Sequence, residues 1–271
     1  MLKQMMHVIF TDLDGTLLDH DTYTFESAQP ALDRLRQRGS PVVFTTSKTR
    51  AETEPLRERT GNTHPFISEN GGAIFIPLSY FPFEPPGSRR LGSYDVIEYG
   101  ASYGALIATL AEAAHWSGCR VRGFSSLSAA EVSSLSGLSL AEAELAKARE
   151  YDEPFEILDG PEEEKRLLAE IERLGKRWTR GGRFYHILGE SDKAAAVASL
   201  IELYRRAYGE VITVGLGDGM NDVDFLNIVD VPILVQSHST KKMQAAVLNG
   251  RVTAAWGPRG WNAAILEMFP E

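Results

Sequence analysis

Short, nearly continuous apolar runs recur along this chain, and a helical pattern of leucines separates the first two. The runs are HVIF (7–10), PVVFTT (41–46), VITVGLG (211–217) and VPILV (231–235). Such runs are typical of strands that are covered on both faces of a parallel sheet. Between the first two runs, Leu32 and Leu35 share one helical face and Gly39 supplies a stop. The order strand, helix, strand predicts an α/β fold.

The pattern changes in the middle of the chain, which indicates a second structural unit. FPFEPPGSRRLG (81–92) is rich in Pro and Gly and predicts a linker. YDVIEY (94–99) and CRVRGF (119–124) then predict strands. Two short helices are expected to begin after Ser128 and Ser139, because each serine is followed three residues later by a glutamate in a capping box.

The end of this middle region is marked by a return to the first pattern. GPEEEKRLLAEIERLG (160–175) predicts an amphipathic helix, and RFYHILG (183–189) predicts a strand that returns to the first unit. We therefore expect a Rossmann-like parallel-sheet core from residues 1–83 and 190–271. An α/β cap domain is expected to be inserted into it at residues 84–189.

Composition and charge exclude several classes of protein. The formal net charge of −9 argues against sequence-independent nucleic-acid binding, which needs a basic face. A single cysteine, Cys119, excludes an intramolecular disulfide and fits a reducing compartment. No apolar run approaches the roughly 20 residues that span a bilayer, and residues 1–10 lack the pattern of a secretory signal. We expect a cytoplasmic protein that binds neither nucleic acid nor membrane.

Paired carboxylates follow two of the predicted strands at the point where each strand ends. Asp12 and Asp14 come after the first run, and Asp218 and Asp222 lie in a glycine-rich segment after the third. Taken singly, Asp12 also fits a helix cap and Asp14 a turn residue. Because the carboxyl ends of parallel strands meet at one edge of a sheet, these groups would repel each other without a cation. Mg²⁺ binds carboxylates and leaves positions for water and phosphate, so it meets that need.

With a metal bound, these residue types predict phosphoryl transfer to Asp12 and hydrolysis of the resulting aspartyl phosphate. Asp14 is the candidate acid and base, which protonates the leaving oxygen and then deprotonates the attacking water. Thr46 and Ser47 place hydroxyls after the second strand, where they can donate to a phosphoryl oxygen. Lys193, in the first turn of a predicted helix, can bridge the nucleophile and the phosphoryl group. Alone, Lys193 also fits a solvated charge and Thr46 a strand-end cap.

Four short motifs together resemble those of one known family. They are DLDGT (12–16), TTSK (45–48), SDK (191–193) and GDGMND (217–222). In this order they resemble the four motifs of the haloacid dehalogenase superfamily. The resemblance implies a Rossmann-like core with a cap inserted between the second and third motifs, and Mg²⁺ as cofactor. It also implies that the Asp12 side chain, the Asp14 backbone carbonyl and Asp218 hold the metal. Asn221 and Asp222 would orient the surroundings of the metal.

A second, narrower resemblance spans both units. The segments TSKTRAE (46–52), ISENGG (67–72) and REYDEPF (149–155) resemble the mannosyl-3-phosphoglycerate phosphatase family, and the third segment is the most diagnostic. This resemblance implies release of phosphate from mannosyl-3-phosphoglycerate to give mannosylglycerate, a compatible solute. Ser47 stands where many relatives carry glycine.

A substrate with a phosphate and a carboxylate needs local positive charge in a net-acidic protein. The cationic candidates for substrate binding are Lys48, Arg149, Arg180, Arg183 and Lys193. Two glycine-containing loops supply further candidates, namely Glu69, Asn70, Gly71, Gly72, Gly181 and Gly182. The alternative interpretation without a role in binding is that TRGGRF forms an exposed hairpin turn and ENGG an ordinary loop.

Three hypotheses of function follow. The first is a Mg²⁺-dependent phosphatase of mannosyl-3-phosphoglycerate, whose partner is a small phosphorylated sugar derivative. The second is a phosphatase or mutase that acts on another sugar phosphate; a mutase would return the phosphoryl group to its substrate. The third is a non-catalytic phosphosugar sensor, which need not keep both Asp12 and Asp14.

Overall fold

The structure, a computed structural model, describes residues 5–180 and 184–270. Its strands are β1 (Met6–Thr11), β2 (Val42–Thr45), β3 (Phe66–Ser68), β4 (Ala73–Pro77), β5 (Arg89–Leu91), β6 (Tyr94–Glu98), β7 (Val121–Gly123), β8 (Asp152–Ile157), β9 (Arg177–Arg180), β10 (Tyr185–Leu188), β11 (Val211–Gly217), β12 (Val231–Gln236) and β13 (Arg251–Trp256). Its α-helices are α1 (Gln29–Arg38), α2 (Arg50–Thr60), α3 (Tyr103–Ser117), α4 (Ala129–Ser136), α5 (Leu140–Lys147), α6 (Pro161–Arg173), α7 (Lys193–Tyr208), α8 (Val223–Leu226), α9 (Thr240–Ala246) and α10 (Gly257–Met268). Within the described ranges, every helix is too short or too polar to cross a membrane.

Nine of the described strands form one sheet in the order β13-β12-β11-β1-β2-β3-β4-β6-β5. The strands from β13 to β3 are parallel, whereas β4, β6 and β5 continue the sheet in antiparallel pairing. Helices cover both faces of the parallel part. Leu35 and Trp261 belong to the apolar cluster on one face, and Val197 and Tyr204 belong to the cluster on the other. The predicted α/β fold with a Rossmann-like parallel core is confirmed.

A second sheet, in the order β7-β8-β10-β9, is antiparallel. Helices α3 and α6 pack against it through a buried cluster that includes Leu106, Phe155 and Leu167. The two expected capping boxes are present: the hydroxyls of Ser128 and Ser139 each accept from the N–H three residues ahead, at the starts of α4 and α5. The chain therefore carries an α/β unit between the two halves of the large sheet.

The first boundary of this unit differs from the expected position. We predicted a linker at residues 81–92 and placed the strand at residues 94–99 in the insertion. Instead, β5 and β6 form a hairpin that pairs with β4 in the large sheet. Val96 explains the difference, because it is fully buried in the core cluster of that sheet. We propose that the inserted unit begins after Glu98 and not at residue 84.

The chain leaves the large sheet and returns to it at one place. After β6, the N–H groups of Tyr99 and Gly100 both donate to the Gly72 carbonyl at 2.9 Å. The strand that we expected to lead back, β10, lies in the second sheet, and the return follows at Gly189. A Cβ on Gly189 would lie 2.4 Å from the Ala101 nitrogen, so the outgoing and returning segments are in direct contact.

Candidate active site

The site begins at the carboxyl ends of β1 and β11, which are adjacent parallel strands. Their register pairs Thr11 with Leu216, so Asp12 and Asp218 follow at the same edge of the sheet. The Asp12 N–H donates to the Leu216 carbonyl at 2.9 Å, and the residue is 7% exposed. From β1 the chain proceeds to β2 on one side and reaches β11 on the other, and open α/β sheets bind ligands at such switch points.

Lys193, the first residue of α7, lies between two buried carboxylates. Its Nζ is 2.7 Å from Asp12 Oδ1 and 2.6 Å from Asp222 Oδ1. Burial alone lowers the pKa of a lysine, but Asp12 and Asp222 together raise the pKa of Lys193 above its ordinary value. The ammonium therefore remains charged and touches the predicted nucleophile.

Asp218 is fixed beside Asp12 by three neighbours. Thr16 Oγ1 donates to Asp218 Oδ1 at 2.9 Å, and Ser237 Oγ donates to the Asp218 backbone carbonyl at 2.7 Å. Gly15 has a φ of +77°, and a Cβ there would lie 2.6 Å from Asp218 Oδ2. Burial, with the nearby charge of Asp222, raises the pKa of Asp218 to about 7. Near neutral pH this carboxyl group needs a proton or a cation.

The three carboxylates form a donor set that fits a divalent metal. Oxygens of Asp12, Asp218 and Asp222 lie within 4.8 Å of one another. Burial and the charge of Asp222 raise the pKa of Asp12 well above its ordinary value, although Lys193 opposes the shift. Three carboxylates and one ammonium leave two negative charges uncompensated in a buried site. A hard dication with oxygen ligands would balance them.

Asp222 and Asn221 shape the loop that carries Asp218. Asp222 Oδ2 accepts from the N–H groups of Asp218 at 3.1 Å and Gly219 at 3.0 Å, while Oδ1 accepts from Lys193. Asn221 Nδ2 donates to Asn70 Oδ1 at 3.4 Å. Because the Asp222 carboxylate already has these donors, it holds the loop and Lys193 more directly than it offers a lone pair to a metal.

Asp14 has a different environment from Asp12. Its side chain is 36% exposed, and its Oδ1 is 3.1 Å from Lys48 Nζ. Lys48 also lies 3.7 Å from Glu52 and over the Tyr23 ring. Burial alone would lower the pKa of Lys48, but Asp14 and Glu52 raise it. The Asp12 carboxyl group is buried and the Asp14 carboxyl group is partly exposed, which is a contrast that lets two carboxylates take different roles.

Thr46 and Ser47 follow β2, the other neighbour of β1. Thr46 is buried, its N–H donates to the Ile67 carbonyl at 3.0 Å, and its Oγ1 accepts from the Lys48 N–H at 3.1 Å. Because that oxygen acts as acceptor in this bond, its hydroxyl hydrogen is left to donate to a ligand. The Ser47 carbonyl accepts from Arg149 Nη1 at 2.8 Å, so a residue of the inserted unit holds this loop.

The loop after β3 contacts the inserted unit. The buried Glu69 carboxylate accepts from the N–H groups of Glu150 at 3.0 Å and Tyr151 at 2.8 Å. Asn70 Nδ2 donates to Asp152 Oδ2 at 2.9 Å. Burial raises the pKa of Glu69 to about 8, with Asp152 adding to the shift and Arg149 opposing it. The side chains of Glu69 and Asn70 therefore both form hydrogen bonds with groups of the inserted unit.

The two glycines of this loop allow close packing. A Cβ on Gly71 would lie 2.1 Å from the carbonyl oxygen of Asp192, the residue that precedes Lys193. A Cβ on Gly72 would lie 2.4 Å from the Tyr151 Cβ. Gly71 therefore sets the approach of α7, and Gly72 sets that of the inserted unit.

Comparison with known proteins identifies the family. A model of haloacid dehalogenase-like hydrolases matches residues 9–80. The glucosyl-3-phosphoglycerate/mannosyl-3-phosphoglycerate phosphatase of Methanococcoides burtonii is 44% identical over 266 residues, which are 98% of each chain. This chain belongs to the haloacid dehalogenase-like hydrolases. The mannosyl-3-phosphoglycerate phosphatase of Pyrococcus furiosus, another relative of this hydrolase, is 40% identical over 85% of this chain and 91% of its own.

Solved structures share the fold of this haloacid dehalogenase-like hydrolase. A crystal structure of Thermoplasma acidophilum 0175 aligns with a TM-score of 0.70 at 20% identity, over 98% of this chain and 99% of that chain. The resemblance predicted from DLDGT (12–16), GDGMND (217–222) and their companion motifs is confirmed by the family and its relatives.

The cationic candidates of the hydrolase lie in different surroundings. The Arg149 side chain is 6% exposed and is engaged by the Ser47 and Ala146 carbonyls, both at 2.8 Å. Arg180 ends the edge strand β9, where its guanidinium lies 4.9 Å from the centre of the Tyr185 ring. The remaining candidates in this hairpin lie outside the described residues, namely Gly181, Gly182 and Arg183.

The structure also brings in residues that were not predicted. Thr16 bonds Asp218, and the DLDGT motif itself contained the signal for it. Asp152 and His186 form a buried pair, with His186 Nδ1 2.9 Å from Asp152 Oδ1. Burial raises the pKa of Asp152, but His186, Arg149 and Asn70 lower it below its ordinary value overall. Their proximity follows from the pairing of β8 with β10, which joins residues distant in sequence.

Proposed function

We propose that this protein hydrolyses glycosyl-3-phosphoglycerates, mannosyl-3-phosphoglycerate in particular, to the glycosylglycerate and inorganic phosphate. The observation that carries the proposal is the cluster of buried Asp12 and Lys193 with half-buried Asp218 at the switch point of the sheet. Its relatives from M. burtonii and P. furiosus are named for this reaction and match most of the chain. The product would be a compatible solute, made in the cytoplasm.

The proposed chemistry has two steps. First, an Asp12 oxygen attacks phosphorus, so that a P–O bond to Asp12 forms and the bond to the glycerate oxygen breaks. Asp14 gives its proton to that leaving oxygen. Water then attacks phosphorus, Asp14 takes a proton from it, and cleavage of the P–O bond to Asp12 releases phosphate. The partial exposure of Asp14 allows this exchange of protons, and the Lys193 ammonium offsets charge at Asp12.

We propose Mg²⁺ as the cofactor of this site. The Asp12 side chain, the Asp14 backbone carbonyl and Asp218 would hold it, while Asp222 and Asn221 would fix the loop beneath. When bound, Mg²⁺ would neutralise charge on the phosphoryl oxygens. Thr46 and Ser47 would donate hydroxyl hydrogens to the same oxygens from β2.

We propose that local cations offset the charge of the anionic substrate in this acidic protein. Lys48 is the cation next to Asp14, at 3.1 Å, and is suited to meet the phosphate or carboxylate at the mouth of the site. Arg149 has backbone carbonyls as partners and would act through Ser47 instead of touching the substrate. Arg180 and its neighbours Gly181, Gly182 and Arg183 remain proposed contacts for the distal part of the substrate, as do Glu69, Asn70, Gly71 and Gly72 for the proximal part.

The deciding experiment compares catalytic efficiency over a panel of phosphorylated metabolites. The panel includes mannosyl-3-phosphoglycerate, glucosyl-3-phosphoglycerate, mannose 6-phosphate and 3-phosphoglycerate, and free phosphate is measured. We expect the two glycosyl-3-phosphoglycerates to exceed the other compounds by at least about a hundredfold in kcat/KM. Preference for simple hexose phosphates would overturn the substrate assignment and leave the chemistry in place.

The same assay tests the two rival hypotheses. A mutase would yield an isomeric sugar phosphate in place of free phosphate, and a sensor would bind these compounds without turnover. We expect stoichiometric release of phosphate and glycosylglycerate, because a partly exposed acid and base beside a buried nucleophile suits transfer to water.

A further inference from the structure

Residues 149–152 lie at the junction between the inserted unit and the large sheet, and Tyr151 and Asp152 are buried there. The Glu69 carboxylate, which is fully buried, accepts from two consecutive backbone N–H groups of this segment, those of Glu150 and Tyr151. Tyr151 also donates its hydroxyl to Glu98 at 2.5 Å. A carboxylate of one unit thus holds the backbone of the other.

The residues that make these contacts have an unusual backbone. Three consecutive residues have a positive φ, which is +48° at Glu69, +55° at Asn70 and +91° at Gly71. Residues other than glycine rarely adopt this left-handed backbone conformation. Strained residues persist only where the surrounding structure holds them in place. Such strain is concentrated at functional sites, so the loop deserves a functional explanation beyond simple packing.

The same junction reaches three catalytic segments. Arg149 Nη1 donates to the Ser47 carbonyl at 2.8 Å, next to the candidate phosphate-binding hydroxyls. Asn70 Oδ1 accepts a hydrogen bond from Asn221 Nδ2 at 3.4 Å, and Asn70 Nδ2 donates to Asp152 Oδ2 at 2.9 Å. The third contact is that of Gly71, which packs against Asp192, the residue just before the helix that begins at Lys193. The inserted unit is therefore connected to the loops around the proposed nucleophile, directly through Arg149 and indirectly through the loop after β3.

We propose that Asn70 and Asp152 are positioning residues, which couple the placement of the inserted unit to the geometry of the metal loop. Asp152 is held by His186 inside the inserted unit and orients the Asn70 amide. The Asn70 oxygen then orients Asn221 in the loop that carries Asp218. Neither Asn70 nor Asp152 needs to touch the substrate for this role. The metal readout used below rests on the proposed function.

Two variants interrupt this connection, and a neighbouring residue provides a matched control. Asn70→Gly keeps a residue that tolerates positive φ while it removes the side chain with its amide, and Asp152→Ala removes the acceptor. Glu153→Ala removes the adjacent carboxylate, which is equally buried but bonds Ser125 and Tyr103 of the inserted unit. Both alanine variants leave buried donors without a partner, so both should lower the unfolding temperature.

The test is the dissociation constant of Mg²⁺, measured by titration calorimetry on the full-length protein without substrate. We expect Asn70→Gly and Asp152→Ala to weaken Mg²⁺ binding by about fivefold or more, and Glu153→Ala to change it by less than about twofold. The double variant of Asn70→Gly with Asp152→Ala should bind Mg²⁺ about as well as either of these single variants, because both changes break the same connection.

Other results would overturn the inference. If the wild-type protein binds Mg²⁺ and Asn70→Gly binds it equally well, the connection does not position the metal loop, while the proposed function stands. If Glu153→Ala weakens binding as much as Asp152→Ala, the effect is general destabilisation. If the wild-type protein does not bind Mg²⁺, the metal part of the proposed function fails and this inference fails with it.

Discussion

The Lys193 ammonium lies 2.7 Å from Asp12 and 2.6 Å from Asp222, so that one buried cation joins the proposed nucleophile to the loop that carries Asp218. Both carboxylates are almost inaccessible to solvent. Water cannot compensate their charge, and the lysine must do so from within the protein. The helix that begins at Lys193 thereby holds together residues from two strand ends.

Replacement of this lysine should damage both stability and activity. Lys193→Met leaves two buried carboxylates facing each other, and loss of one partner of a buried ion pair costs about 3 to 5 kcal/mol. We expect a lower unfolding temperature and no measurable phosphate release. Lys165→Met, at an exposed position of α6, is the matched control and should leave both unchanged. An unfolding temperature like that of the wild type would contradict the structural role.

The nucleophile can be tested without loss of the fold. Asp12→Asn removes the attacking charge with little change in volume, and it relieves a carboxyl group whose pKa is raised by burial and by Asp222. We expect turnover to fall by at least about a thousandfold while the unfolding temperature is maintained. Asp21→Asn, in the exposed turn beyond the motif, serves as control and should retain full turnover. Substantial activity in Asp12→Asn would contradict the two-step chemistry.

Gly15 should be essential because of its neighbour. Gly15→Ala meets two penalties: a positive φ, which costs about 1 to 2 kcal/mol, and a Cβ that would lie 2.6 Å from Asp218 Oδ2. Displacement of Asp218 should reduce metal affinity and kcat/KM by at least about tenfold. Gly87→Ala has the first penalty alone, since its φ is +73° and no atom lies within 4 Å of the added Cβ. Equal kinetics for the two variants would show that the contact with Asp218 is unimportant.

Removal of divalent metal should stop the reaction reversibly. The uncompensated carboxylates of Asp12 and Asp218 require a dication for binding of an anionic phosphate. We expect excess chelator to abolish phosphate release, and added Mg²⁺ to restore it. The unfolding temperature should rise with Mg²⁺, because the ion binds the folded state alone. Hydrolysis that persists in chelator would contradict the assignment.

The buried His64 should account for part of the decrease in the free energy of unfolding at acid pH. Burial, with the nearby charge of Arg57, lowers the pKa of His64 to about 4, whereas an unfolded histidine titrates near 6.5. Between these values the unfolded chain binds a proton that the folded chain does not, so stability falls as the pH drops from about 6.5 to about 4.

The effect can be isolated by substitution. His64→Gln retains a polar group for the Tyr80 hydroxyl, which lies 2.8 Å from His64 Nδ1. It should reduce the loss of unfolding free energy between pH 7 and pH 4 by on the order of 2 to 3 kcal/mol, since one pKa unit corresponds to about 1.4 kcal/mol. Denaturant unfolding at each pH measures this, with the exposed His115→Gln as control. Parallel curves for wild type and His64→Gln would contradict the prediction.

The closeness of Asp12 and Asp218 was predictable because it follows from the geometry of strand ends. Asp12 and Asp218 each come directly after an apolar run, and parallel neighbours bring such ends together whatever the intervening length. The short-range signals of helix capping at Ser128 and Ser139 were equally reliable. These features depend on the local chain or on one simple rule of sheet geometry.

Features that depend on distant pairing were harder to predict. The proline-rich approach to β5 indicated a linker, yet the β5–β6 hairpin extends the large sheet. Sequence shows that Arg149 is a cation but not that the Ser47 and Ala146 carbonyls take up its donors. Asp152 and His186 are 34 residues apart in the chain, and they meet through the register of two strands, for which no local pattern exists.

The contact between Gly189 and Ala101 has a consequence for how such a chain can change over generations. Since the polypeptide departs and comes back at neighbouring points, the whole intervening stretch can be lengthened, trimmed or exchanged while the distance between its two attachment points is preserved. The reactive aspartates would keep their spacing through such a replacement. The proposed reaction chemistry and the proposed contacts with the distal part of the substrate can therefore evolve along separate portions of one gene.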